Sequence, residues 1–104
     1  MTREEWLRGL SAGDQVAVVH GPTLRVYTLA RTTKTRVVVA YGHWYKRGSG
    51  EAPRRLYPRG MVPRIEEPTP ELLERFDLVR RVRLVRLSRL SLEQLRAVAA
   101  AAGV

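Results

Sequence analysis

The 104-residue sequence contains no cysteine, which excludes disulfides and thiolate metal sites. It contains no asparagine, its glutamines are Gln15 and Gln94, and only Lys34 and Lys46 among its 19 basic groups are lysines. Scarce thermolabile amides beside heavy charge suit a heat-adapted source, and a GC-rich genome raises arginine by a separate route. His20 and His43 are the only histidines, and Asp14 is the only acid in the first two predicted strands, so no metal site is expected. The carboxylates gather at 66–77, where capping and linking explain them, and no nucleophile stands beside a base. A non-enzymatic chain without cofactors is therefore expected. No run approaches the roughly 18 apolar residues of a membrane span, and the amphipathic opening MTREEWLRGL does not read as a secretory signal. A cytoplasmic protein without a membrane partner is the expectation.

What is present is positive charge, unevenly spread. The net charge is +9, and residues 25–64 hold ten basic groups against Glu51 alone. Residues 65–79 carry Glu66, Glu67, Glu71, Glu74 and Asp77 against Arg75, and residues 80–104 carry six arginines against Glu93. Two basic zones flanking an acidic one favour a polyanion or an acidic protein surface as partner. A solvated surface with arginine bias is the plain alternative.

Thr2 and Glu5 have the form of a capping box for a short helix over Arg3–Gly9, with Trp6 as a lid on the body. The spacing predicts strands over Gln15–Val19, Leu24–Thr32, Thr35–Ala40 and His43–Arg47, with a reversal at Thr33–Lys34. Val37, Val38 and Val39 predict a strand covered on both faces, by the interior on one and a helix on the other. Gly48–Gly60 reads as an exposed, mobile loop, and Met61–Ile65 as a short edge strand interrupted by Pro63. Thr69 and Pro70 open a helix predicted to reach about Leu87, and Ser91 with Gln94 opens another that Gly103 ends.

Arg80, Arg83, Arg86 and Arg89 recur every three residues. On an ideal helix each such step falls about 60° short of a full turn, so the row sweeps around the axis and no clean apolar stripe survives. Either the helix loosens near Ser88, or the arginines span several neighbours, or a partner covers Val82, Val85 and Leu87. That partner could be a second copy of the chain, making a homo-oligomer through the C-terminal helix.

These elements define an α+β chain: a small five-stranded antiparallel barrel with a short N-terminal helix over residues 1–67, then one or two helices over 68–104. The order of elements resembles the Src-homology-three kind of barrel. Val16–Val19, the Thr33–Val39 turn and strand, Trp44-Tyr45-Lys46-Arg47 before Ser49-Gly50, and the closing Leu-Glu-Gln-Leu-Arg-Ala-Val run together resemble small phage-encoded barrel-domain proteins. That resemblance implies a viral or prophage origin, with the host cytoplasm as location, and no established activity. Ala12–Val18 also resembles the start of the short barrel motif of ribosomal and transcription-elongation proteins, but Pro22–Val26 replaces the glycine pattern that should follow.

The expected binding patch is Arg31, Lys34 and Arg36 at the hairpin with Tyr45, Lys46 and Arg47 on the next strand. Cations release counterions from phosphate and aromatic faces accept stacked bases, so the expected partner is DNA or RNA bound with sequence tolerance. Trp44 and Tyr45 face opposite ways on a regular strand, and Tyr45 is preferred for stacking because it shares a face with Arg47. Arg54, Arg55 and Arg59 on the loop would track a backbone. Arg80, Arg83, Arg86 and Arg89 would add phosphate contacts or meet an acidic protein, as an adaptor or inhibitor of host machinery such as transcription would.

Overall fold

The Thr2 hydroxyl accepts the Glu5 amide at 3.1 Å, and helix α1 (Arg3–Gly9) starts where the capping residues predict. The structure, a computed structural model, describes residues 1–104 apart from the side chain of Tyr41. Helix α1 delivers Leu7 to the core, Leu10 follows just past its end, and Trp6 packs half-buried against them.

Strand β1 (Gln15–His20) pairs antiparallel with β2 (Thr23–Thr32) on one side and β5 (Arg64–Glu66) on the other. Strand β3 (Arg36–Val39) joins β2 to β4 (Trp44–Lys46), giving the order β4-β3-β2-β1-β5. Paired residues share a face. Val16 opposite Tyr27, Leu29 opposite Val39 and Val37 opposite Tyr45 therefore fill the concave side together with Ile65. Leu7, Val16, Val37 and Ile65 are fully buried. Burial of each such aliphatic side chain stabilises by about 1.5–3 kcal/mol.

The sheet is an open half-barrel. Strands β4 and β5 do not pair, and the backbone hydrogen bonds across the gap run through residues 50–52. The Lys46 amide donates to the Glu51 carbonyl at 2.9 Å, Ala52 to Pro63 at 2.9 Å, and Ile65 to Gly50 at 2.8 Å. This segment belongs to the loop expected to be exposed, yet Gly50, Ala52 and Pro53 are buried because they complete the sheet. Gly50 has φ +74°, and a Cβ there would sit 2.6 Å from Nη2 of Arg3. The Arg3 guanidinium in turn donates to the Ser49 and Ile65 carbonyls at 2.6 and 3.0 Å.

Strands β1 to β4 begin and end within one residue of the sequence expectation, and three of the differences in boundary have a visible cause. Strand β3 begins at Arg36 because the Thr33 hydroxyl accepts the Arg36 amide at 3.0 Å and keeps Thr35 in the turn. The last strand is Arg64–Glu66, since Pro63 has no amide to donate. Helix α2 (Pro70–Arg83) stops four residues before Leu87, and a 3₁₀ turn at Leu87–Arg89 leads into α3 (Leu92–Ala102). The Ser91–Gln94 capping box and the left-handed Gly103 bound α3 as predicted.

Half-buried Leu72 and Phe76 of α2 line one cleft with Val19 of β1, and no side chain of α2 or α3 is fully buried. All three valines of β3 are buried, so both faces of that strand are covered as expected; Val38, 8% exposed, lies on the convex face in register between Arg31 and Trp44. The radius of gyration is 17.5 Å with a long axis of 55 Å, against about 13 Å for a compact chain of this size. Helix α2 leans on the β1-β2 hairpin, sharing clefts with Val19 and residues 22–25, and carries α3 away from the sheet as an arm. Among the described residues, no helix is long and apolar enough to cross a membrane.

Candidate functional site

Strand register decides which cations share a surface. Arg36 stands directly across from Lys46, and Val38 has Arg31 on one side and Trp44 on the other. All of these lie on the convex face of β2-β3-β4. Arg31 reaches that face only because a register shift falls between Leu29 and Arg31. Without the bulge, strict alternation would turn Arg31 inward behind Leu29. The Arg36 guanidinium lies over the Trp44 ring, 3.9 Å from its centroid, in a cation–π contact. Lys34, exposed in the adjoining turn, extends the patch.

Two residues expected in the patch are elsewhere. Tyr45 is 6% exposed and packs opposite Val37 in the core, so its ring faces are not free to stack. Trp44, its neighbour of opposite parity, holds the outward position. Arg47 follows the end of β4 and is turned to structural use. Its guanidinium donates to the Thr33, Arg8 and Leu10 carbonyls at 2.9, 2.6 and 2.7 Å, closing the C-terminal end of α1 against the hairpin.

The loop arginines form a separate group. Arg54 donates to the Gly60 carbonyl at 3.2 Å and braces its own loop, while Arg55 and Arg59 are exposed. The four arginines of the C-terminal region do not form one helical row, because α2 ends at Arg83 and leaves Arg86 and Arg89 in the turn region. Arg80 and Arg81 pair with Asp77 at 2.8 and 3.1 Å. The Arg80 hydrogen bond is the chief reason the Asp77 carboxyl is held below its ordinary range. Arg3 and Arg64 pair with Glu66 at 3.3 and 3.0 Å. Among the described residues, no carboxylate pairs with Arg31, Lys34, Arg36 or Lys46.

A second feature escaped the sequence reading. The end of the half-barrel away from α1 opens into a cavity of about 470 Å³ lined by His20, Arg25, Tyr27, His43, Tyr45 and Tyr57. His20 and Tyr57 meet edge to face with centroids 5.5 Å apart. Nε2 of His20 lies 3.0 Å from the Met61 carbonyl oxygen. A carbonyl only accepts, so Nε2 carries the proton and Nδ1 is left as an acceptor in the neutral ring. Burial, followed by the neighbouring Tyr57 and Tyr27, pushes the Tyr45 hydroxyl up to about 12, so it remains a neutral donor at physiological pH. The signal lay in the inward positions of the first hairpin. Val16, Val18 and His20 on β1 face Tyr27, Arg25 and Thr23 on β2, so the apolar alternation ends in polar and aromatic groups at one end. Among the described residues, no three His, Asp or Glu side chains gather as a metal site would require.

Fold and surface together define a small basic α+β protein with a projecting helical arm. No protein-family model matches the chain, and no curated protein or solved structure matches it either.

Proposed function

We propose that this protein binds nucleic acid, without enzymatic activity, through the convex face of β2-β3-β4. The observation that carries this reading is the direct opposition of Arg36 and Lys46 beside Arg31, with no carboxylate paired to any of them. Like charges across an antiparallel pair destabilise a sheet, and a bridging phosphate offsets that cost. The Trp44 ring beneath Arg36 adds an aromatic platform at the same place. The setting proposed for this binding is a Src-homology-three-like barrel encoded by a phage; the five-stranded antiparallel order and the short N-terminal helix support the barrel part of that reading.

Fluorescence anisotropy with labelled single- and double-stranded oligonucleotides at several salt concentrations tests the reading. Engagement of four phosphates by Arg31, Lys34, Arg36 and Lys46 predicts log–log salt slopes of about −3.6 on duplex and about −2.8 on single strands. The pair R36E/K46E should abolish binding. No binding by the unaltered chain at low salt sinks the proposal.

A second reading concerns the arm. Leu78, Val79 and Val82 line an apolar groove on α2 with Glu71, Glu74 and Arg75 toward one end and Arg83 at the other. Val82 is 66% exposed and Leu84 77%. A second copy of α2 laid antiparallel about Leu78 and Val79 would set Glu74 against the partner's Arg83, whereas parallel pairing would oppose like charges. A homodimer through the arm follows. Light scattering should give twice the chain mass, E74R should reduce it to the monomer, and E74R/R83E should restore the dimer. A monomeric unaltered chain at high concentration overturns this reading.

A further inference from the structure

We infer that the open end of the half-barrel takes one unstacked nucleobase, which makes the protein selective for single strands over duplex. The inference rests on the nucleic-acid reading for the strand that crosses the convex face, but the pocket itself can be tested without it.

The cavity has the ingredients that base recognition needs. Its volume of about 470 Å³ falls within the range typical of small-ligand sites. Its walls are aromatic: Tyr27, Tyr57 and His20 offer ring surfaces, and the His20–Tyr57 edge-to-face contact holds two of them in fixed relation. Seven of its ten lining residues carry a polar group, and two of those groups are of complementary kind. Nδ1 of His20 is an acceptor, and the Tyr45 hydroxyl is a donor that no described protein group engages by a hydrogen bond. One acceptor and one donor beside stacked rings match the hydrogen-bonding edge of a base. Arg25 lies at the rim, and Arg55 and Arg59 flank Tyr57 in the loop, which supplies cations for the phosphates on either side of the base.

The placement also joins the two surfaces. Trp44 is on the convex face and its neighbour His43 lines the cavity, so the first residues of β4 stand between the basic patch and the mouth. Because β4 is an edge strand, a chain lying on the convex face can turn over that edge and enter. A duplex cannot do so without extruding a base, which costs unpairing and unstacking energy.

The chain has only two histidines and both line the cavity, so their ring proton resonances report on it directly. Adenosine and uridine monophosphate are titrated separately into the isotopically labelled protein. Shifts of both His20 and His43 rings with saturable dependence are expected. In parallel, Y57A and R25A are compared with the unaltered chain on a dT oligonucleotide and on a duplex. Loss of one stacked base predicts about a tenfold weaker single-strand affinity for Y57A, with duplex affinity unchanged. Tyr57 is half-buried in a loop, and Y57F, which keeps the ring, should retain single-strand affinity; this separates a lost stacking face from a misfolded loop. Histidine signals that stay fixed while oligonucleotides bind would overturn the inference and leave the convex face alone as the site. Equal losses on single strand and duplex in Y57A would overturn it as well. Histidine shifts with mononucleotides but no oligonucleotide binding would keep the pocket and discard the reading of the convex face.

Discussion

Arg47 and Leu10, separated by most of the sheet in sequence, are joined by a guanidinium-to-carbonyl hydrogen bond of 2.7 Å. With the bonds to Arg8 and Thr33, it ties the end of α1 to the β2-β3 turn. Hydrogen bonds from charged donors contribute about 1.5–3 kcal/mol when buried and less when wet. Arg47→Ala should therefore cost roughly 2–3 kcal/mol of stability, seen as a lower midpoint in urea. Nucleic-acid affinity measured where the variant is folded should be unchanged, unlike the effect of altering Arg36.

Gly50→Ala is expected to be among the most damaging single-methyl changes. It places an L-residue at φ +74° and pushes a Cβ against the Arg3 guanidinium. A backbone strain of about 1–3 kcal/mol is the general cost of such a position, and displacement of Arg3 would add the loss of its bonds to Ser49 and Ile65. Thermal unfolding of G50A beside G48A provides the comparison, since a Cβ at Gly48 meets nothing within 4 Å.

The Tyr45 phenol should titrate late. Its folded-state value of about 12 exceeds the ordinary 10.0, so the folded state holds the proton more tightly than the unfolded state does. The corresponding stability is fully present below pH 10 and lost as pH rises through 12. Ultraviolet titration of the phenolates should show a late step that disappears in Y45F. If all tyrosines ionise together near the ordinary value while the protein stays folded, Tyr45 is not buried as described.

Trp44 should report binding and Trp6 should not. Trp6 packs from α1 against the core, whereas Trp44 lies beneath Arg36 on the convex face. The W6F variant should keep its fluorescence change on adding an oligonucleotide, and W44F should lose it. A change that survives only in W44F would move the interface to the α1 end.

Much of this architecture was legible in local chemistry. Thr2, Thr69, Ser91 and Gly103 mark helix ends through bonds made within one turn, and those ends are found where they were expected. What was not legible depended on non-local pairing. The bulge after Leu29 exists because β2 must meet β3, and it alone decides that Arg31 faces outward. Alternation placed Trp44 and Tyr45 on opposite faces but left open which face was the core. Tyr45 has the parity of Arg47 in the sequence, but Arg47 lies beyond the end of β4 and binds carbonyls, so it says nothing about which face of the strand is outward. The loop from Gly48 carried glycine and proline and looked independent, yet its first residues bridge a sheet edge that no local pattern reveals.

That bridge has a mechanical consequence. The seam between β4 and β5 is stitched by the backbone of residues 50–52 and by the Arg3 side chain, while each hydrogen-bonded pair of strands shares at least three paired positions. Amide hydrogens at Ala52 and Ile65 should therefore exchange with solvent sooner than those of β1 and β2. Unfastening those few stitches would spread the two flanking edges apart, widening the vestibule while the central hairpin stays clasped.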